Sequence, residues 1–84
     1  MNETTNLPAA AADWNVEAMI ATAAKVARHL DEGYLFEEEL SELGLSLTAW
    51  GTHTSTPAFT FYDDADFDEI DALIGSAAEH LGLS

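Results

Sequence analysis

Leu45-Ser-Leu-Thr-Ala-Trp-Gly-Thr-His-Thr-Ser-Thr-Pro-Ala-Phe-Thr-Phe-Tyr62 alternates apolar and polar residues on both sides of a short polar break. In an extended chain successive side chains point to opposite faces. Leu45, Leu47 and Ala49 therefore share one face, and Ser46, Thr48 and Trp50 share the other. Phe59 and Phe61 alternate with Thr60 and Tyr62 in the same way. The break, His53-Thr-Ser-Thr-Pro57, has turn composition. The stretch thus predicts a β-hairpin. Two strands alone are marginal in water, so the flanking segments must cover the apolar face.

Just upstream, residues 34–43 place Phe36, Leu40 and Leu43 at i, i+4 and i+7, with Gly44 suited to stop a helix. A short helix is the reading preferred here. The alternative is a strand through Tyr34 to Glu39, which gives a three-stranded antiparallel sheet and the order αβββα. Double-stranded-RNA-binding domains share that order, a likeness of topology alone that carries no function. Further upstream Val16, Met19, Ile20, Ala23, Ala27 and Leu30 recur at helical spacing. They predict a helix over 14–31, with Asp13 as N-cap and Gly33 at the position that ends it. Residues 1–12 read as a flexible arm. Downstream, Phe67, Ile70, Ile74, Ala77 and Leu81 predict a third helix, ended by Gly82. Asp66 is its cap and Glu69 the capping-box partner. The fold class expected is α+β in two layers, order α(α)ββα, with 13–84 as a single acidic domain.

A chain of 84 residues is one domain with a thin core. It holds no cysteine, so disulfides, thiolate metal sites and thiol nucleophiles are excluded together. No basic residue precedes an apolar run near the N-terminus, and no apolar run reaches 18 residues. A cytoplasmic location is expected, without membrane contact.

Charge is the unusual feature. Sixteen Asp and Glu stand against two Lys and Arg, for a net charge of −14. Residues 1–30 contain three acids against Lys25 and Arg28; residues 31–84 contain thirteen acids and no Lys or Arg. Such a chain repels nucleic acid and anionic membrane and attracts a basic surface.

Motifs for chemistry are weak. Asp64, Asp66 and Asp68 resemble the start of a calcium loop, but its sixth position is Glu69 rather than Gly and its twelfth is Gly75 rather than Glu. An acidic helix N-terminus explains these residues better. His29, His53 and His80 never pair at i+3 or i+4, so no helix presents two ring ligands. No nucleophile elbow or phosphate loop is present. The expectation is no enzyme, no metal and no cofactor.

The acids fall in two clusters: Asp31, Glu32, Glu37, Glu38, Glu39 and Glu42, then Asp63, Asp64, Asp66, Asp68, Glu69 and Asp71. Carboxylates three or four apart on a helix lie about 5–6 Å from one another, and alternate ones on a strand roughly 6.6 Å. Both spacings are comparable to that of phosphates along a nucleic-acid strand. The contact set expected for a basic partner is Glu37, Glu38, Glu42, Asp63, Asp64, Asp66, Asp68, Glu69 and Asp71. Trp50 and Tyr62 join it as an aromatic pair on the open strand face. Alternatively, Trp14 and the N-terminal arm cover that pair, or a second copy does so in a homodimer.

Three functional readings follow. In the first, the chain mimics nucleic acid and inhibits a nucleic-acid-binding protein. In composition it is similar to phage-encoded anti-restriction and anti-CRISPR proteins, which are often small, acidic and free of cysteine. The second is a halophile-adapted domain, which predicts acids spread over the whole chain; the near-neutral first helix argues against it. The third is an acidic subunit or antitoxin-like partner of a basic protein. The first is preferred.

Overall fold

The computed structural model describes residues 14–52 and 57–83. The arm 1–12, the Asp13 cap and the turn residues His53 to Thr56 lie outside the described residues. The element order is α1 (Val16–His29), α2 (Gly33–Glu42), β1 (Leu45–Thr48), β2 (Ala58–Phe61) and α3 (Phe67–His80). This is the α+β order ααββα, with the hairpin packed among the helices. Residues 34–43 belong to a helix, and the sheet has two strands rather than three.

β1 and β2 pair antiparallel, with Leu45 opposite Phe61 and Leu47 opposite Phe59. The two apolar sets therefore lie on one face, where Leu45, Leu47, Ala49 and Phe61 are buried. α2 packs against β1, and α1, packed in turn against α2 and α3, completes one continuous core. Leu40, Leu45, Ile70 and Val26, one from each of α2, β1, α3 and α1, are the largest fully buried side chains. An aromatic row runs along one flank: Trp14 stacks on Phe67, Phe67 lies 4.8 Å from Phe61, and Phe61 meets Phe59 edge-on.

Several boundaries differ from the sequence reading for identifiable reasons. The N-cap of α1 is Asn15, whose side chain accepts from the Ala18 N–H at 3.2 Å, rather than Asp13. Both residue types cap well; Trp14, stacked on Phe67, fixes the chain just ahead of Asn15. Gly33 does not end α1 in a left-handed conformation. It is the first residue of α2, after Leu30 has turned extended at the end of α1. Gly33 is needed for close approach instead: a Cβ there would sit 2.1 Å from both the Ala27 carbonyl and the Trp50 ring.

Gly44 and Gly82 do take positive φ and end α2 and α3. At Gly82 both bonds of a Schellman motif are present, Gly82 N–H to Glu79 O and Leu83 N–H to Ala78 O. The box at Asp66 is half formed. Its Oδ1 accepts from the Glu69 N–H at 3.2 Å, while its own N–H donates to Leu43 O at 3.0 Å. That second bond ties the start of α3 to the end of α2. The Tyr62 N–H, bonded to Gly44 O at 2.8 Å, adds a second tie. Together they bring the Glu42 end of the first acidic segment beside the start of the second.

Candidate functional site

α2 packs against β1 and α1, and α3 packs against α1, but α2 and α3 meet only weakly. A shallow, largely open trough is left between them. One half, about 500 Å³, lies between Glu39, Glu42 and Leu43 of the α2 side and Glu69, Leu73 and Ser76 of α3. The other half, about 490 Å³, continues past Glu39 and Leu73 to Leu35, Leu30, Asp31 and Glu32. The C-terminal end of α2 faces the N-terminal turns of α3, so the helices run antiparallel along the trough. Its floor is apolar, with half-buried Leu30, Leu43 and Leu73; its rim is acidic.

Helical spacing explains this arrangement. On α2, Phe36 and Leu40 point into the core. At 100° per residue Glu39 falls on the flank toward α3, Glu38 points outward, and Glu37 falls on the flank toward the hairpin. On α3 the same rotation turns Glu69 and Leu73 toward α2, while Asp71 faces the groove beside α1 that Trp14 also lines. Asp64, Asp66 and Asp68 surround a shallow hollow next to Trp14 and Phe67.

The contact set read from the sequence is thus divided. Glu42 and Glu69, one from each cluster, share the trough. Glu38 is exposed on the outer side of α2, and Asp63 is exposed in the turn before α3. Asp64, Asp66, Asp68 and Asp71 carry the negative surface round the N-terminal end of α3. Asp66 is also the cap of that helix.

Glu37 is set apart. Its Oε2 accepts hydrogen bonds from the Ala49 N–H at 2.5 Å and the Trp50 N–H at 2.6 Å. Glu37 is half-buried, and this carboxylate serves the fold by closing the end of β1 onto α2. Glu39, which the sequence places in the first cluster but not in the contact set, lines both halves of the trough.

Trp50 and Tyr62 are both exposed, at 39% and 46%, but they do not form a pair. The register sets Tyr62 opposite Gly44, while Trp50 lies in the turn past the other end of β1, so the two rings mark opposite ends of the hairpin. Trp50 instead meets Tyr34 edge-on at 5.2 Å, over Gly33. Trp14 stacks on Phe67 instead, and the arm before it lies outside the described residues. Sequence reasoning missed Tyr34 and Leu35, at 46% and 43% exposed. Their apolar character on the outward side of a polar helix was the available signal.

Among the described residues no acidic side chain is buried, and no three Asp, Glu or His side chains are arranged to hold a metal ion. His29 Nδ1 lies 2.8 Å from the Lys25 carbonyl, and His80 is exposed at the end of α3. His53 lies outside the described residues. No described helix is long and apolar enough to cross a membrane. No family model matches the chain, and no curated protein or solved structure is significantly similar to it.

Proposed function

We propose that this chain is an acidic decoy. Its α2–α3 face occupies the basic nucleic-acid-binding surface of a partner protein and keeps nucleic acid out, as phage-type inhibitors of restriction or CRISPR systems do. The chain performs no chemistry in this reading and takes no cofactor. Its target lies in the compartment where nucleic acid is handled, the cytoplasm.

The observation that carries the reading is the placement of charge on α2. A helix favours anions at its N-terminus and cations at its C-terminus, by about 0.3–1 kcal/mol each. α3 follows the rule, with Asp68 and Glu69 in its first turn. α2 departs from it at its C-terminus. Glu32 stands at its N-cap and Glu37 and Glu38 lie mid-helix, but its last turn holds no base and carries Glu39 and Glu42. Glu37 has a structural task at the hairpin. Glu39 and Glu42 oppose the helix dipole with no such task among the described residues, and Glu69 faces them across the trough. Charges that weaken the isolated fold are expected where a partner makes use of them. A Lys/Arg surface would neutralise this face, and release of its bound counterions would drive the association, as it does for nucleic acid.

The test is a competition. The tagged chain is used to retain nucleic-acid-binding proteins from a cell extract, and duplex DNA or RNA is then added. Retained proteins should be released by the nucleic acid, and the triple variant Glu39→Gln/Glu42→Gln/Glu69→Gln should retain them at least about tenfold less well. Retention that nucleic acid does not disturb, or that the triple variant leaves intact, would reject the decoy reading.

A further inference from the structure

The trough is more than a charged surface. A face that only imitated phosphates would need a rim of carboxylates, not an apolar floor. Here Leu35, Leu43, Leu73 and Ala77 lie between the carboxylates, and Leu35 is among the most exposed large apolar side chains of the described residues. From the basic-partner reading, on which this step rests, we infer that the trough seats an amphipathic helix of the partner, with an apolar stripe flanked by Lys and Arg.

The dimensions suit such a guest. From Leu35 to Glu42 is seven residues, about 11 Å at the helical rise, or two turns. Two turns of a guest helix present two or three apolar anchors at i, i+4 and i+7 to one groove. Basic residues on either side of that stripe would then meet Asp31, Glu32 and Glu39 along one stretch of rim, and Glu42 and Glu69 where the two acidic segments converge. Charge disfavours the other candidates. A second copy would bring the same acids against this rim. Residues 1–13 of the chain itself carry Glu3 and Asp13 and no base.

Three labelled synthetic peptides of 14 residues provide the test, by fluorescence anisotropy at 0.15 M salt. One is an amphipathic Leu/Lys/Arg helix. The second is a scramble of equal charge without helical periodicity. The third is oligolysine. The amphipathic peptide should bind about tenfold or more tightly than the other two, since each buried Leu supplies roughly a factor of ten. Leu35→Ser combined with Leu73→Ala should reduce this advantage to less than about threefold while leaving oligolysine binding unchanged. Circular dichroism checks that the double variant is folded, and Leu35→Ser alone, at an exposed position, should lose part of the advantage without touching the core.

Equal binding of all three peptides would overturn the helix-seating inference and leave the decoy reading standing. Failure of all three to bind would remove the basic partner and the inference together. A chain that is dimeric by light scattering, and that Leu35→Ser renders monomeric, would assign the trough to a second copy and overturn the inference as well.

Discussion

Glu37, Glu38 and Glu39 are one residue type repeated three times, and the helix turns them in three directions. Glu37 reaches the hairpin, Glu38 faces solvent and Glu39 enters the trough. Their substitutions should differ accordingly. Glu37→Ala leaves two backbone N–H groups of the Ala49–Trp50 turn without their charged acceptor, and should cost about 1–3 kcal/mol in urea unfolding. Glu38→Ala should stay within about 0.5 kcal/mol of the parent. Glu37→Ala should also leave partner binding unchanged once the protein is folded, because its carboxylate is already committed to the hairpin. Equal effects on stability at the two positions would remove the structural role from Glu37. The run of three glutamates does not by itself single out the inward one. The helical phase set by Phe36 and Leu40 only puts positions 37 and 39 on opposite flanks, and the packing of α2 on β1 decides which flank meets the hairpin. Gly33 shows the opposite limit. Its requirement comes from Trp50 and from the Ala27 carbonyl, which belong to other segments of the chain, so no local pattern announces it.

At the scale of elements, the same formal charge has opposite effects at the two ends of a helix. Asp66 caps α3 through the Glu69 N–H and also lies at the positive end of the helix dipole. Asp66→Ala should lower stability by about 0.5–2 kcal/mol. Glu42 lies at the negative end of α2, and Glu42→Gln should raise stability by a few tenths to about 1 kcal/mol. Thermal melts of the two variants should therefore shift in opposite directions. A fall in Tm for Glu42→Gln would show that its charge has a stabilising partner and would weaken the decoy reading. The elements themselves were largely legible, since period-two alternation at 45–62 and the 3.6-residue spacing in α1 and α3 are strong local signals. The α2 segment was the ambiguous one. A run of ten residues with three core anchors fits a short helix or an edge strand. Packing against β1 and α1 selects the helix. The trough was not legible, because it depends on which pair of helices fails to pack together. That is set by the short link through Gly44 and by the Asp66 N–H to Leu43 O bond, not by any periodicity.

At the scale of the whole molecule, the question is how far thirteen uncompensated acids act on one another. Two unit charges 6 Å apart in water repel by about 0.7 kcal/mol before screening. The Debye length is about 8 Å at physiological salt. The molecule measures 32 × 25 × 21 Å, so acids on opposite sides barely interact there, whereas neighbours along α2 and across the trough still do. Salt should therefore relieve a local strain rather than a global one. Tm should rise by about 5–10 °C between 10 mM and 0.5 M KCl, the equivalent of one to two kcal/mol in a domain of this size, and then change little. The triple variant Glu39→Gln/Glu42→Gln/Glu69→Gln should lose part of that salt dependence, because it removes the acids that face one another across the trough. A chain that is unfolded in dilute buffer and needs molar KCl to fold would instead point to adaptation of the entire surface to salt. In that case the trough acids would be no more special than the others, and the dependence would survive in the triple variant. The distinction rests on where the repulsion is concentrated, and α2 and the start of α3 are where the fold concentrates it.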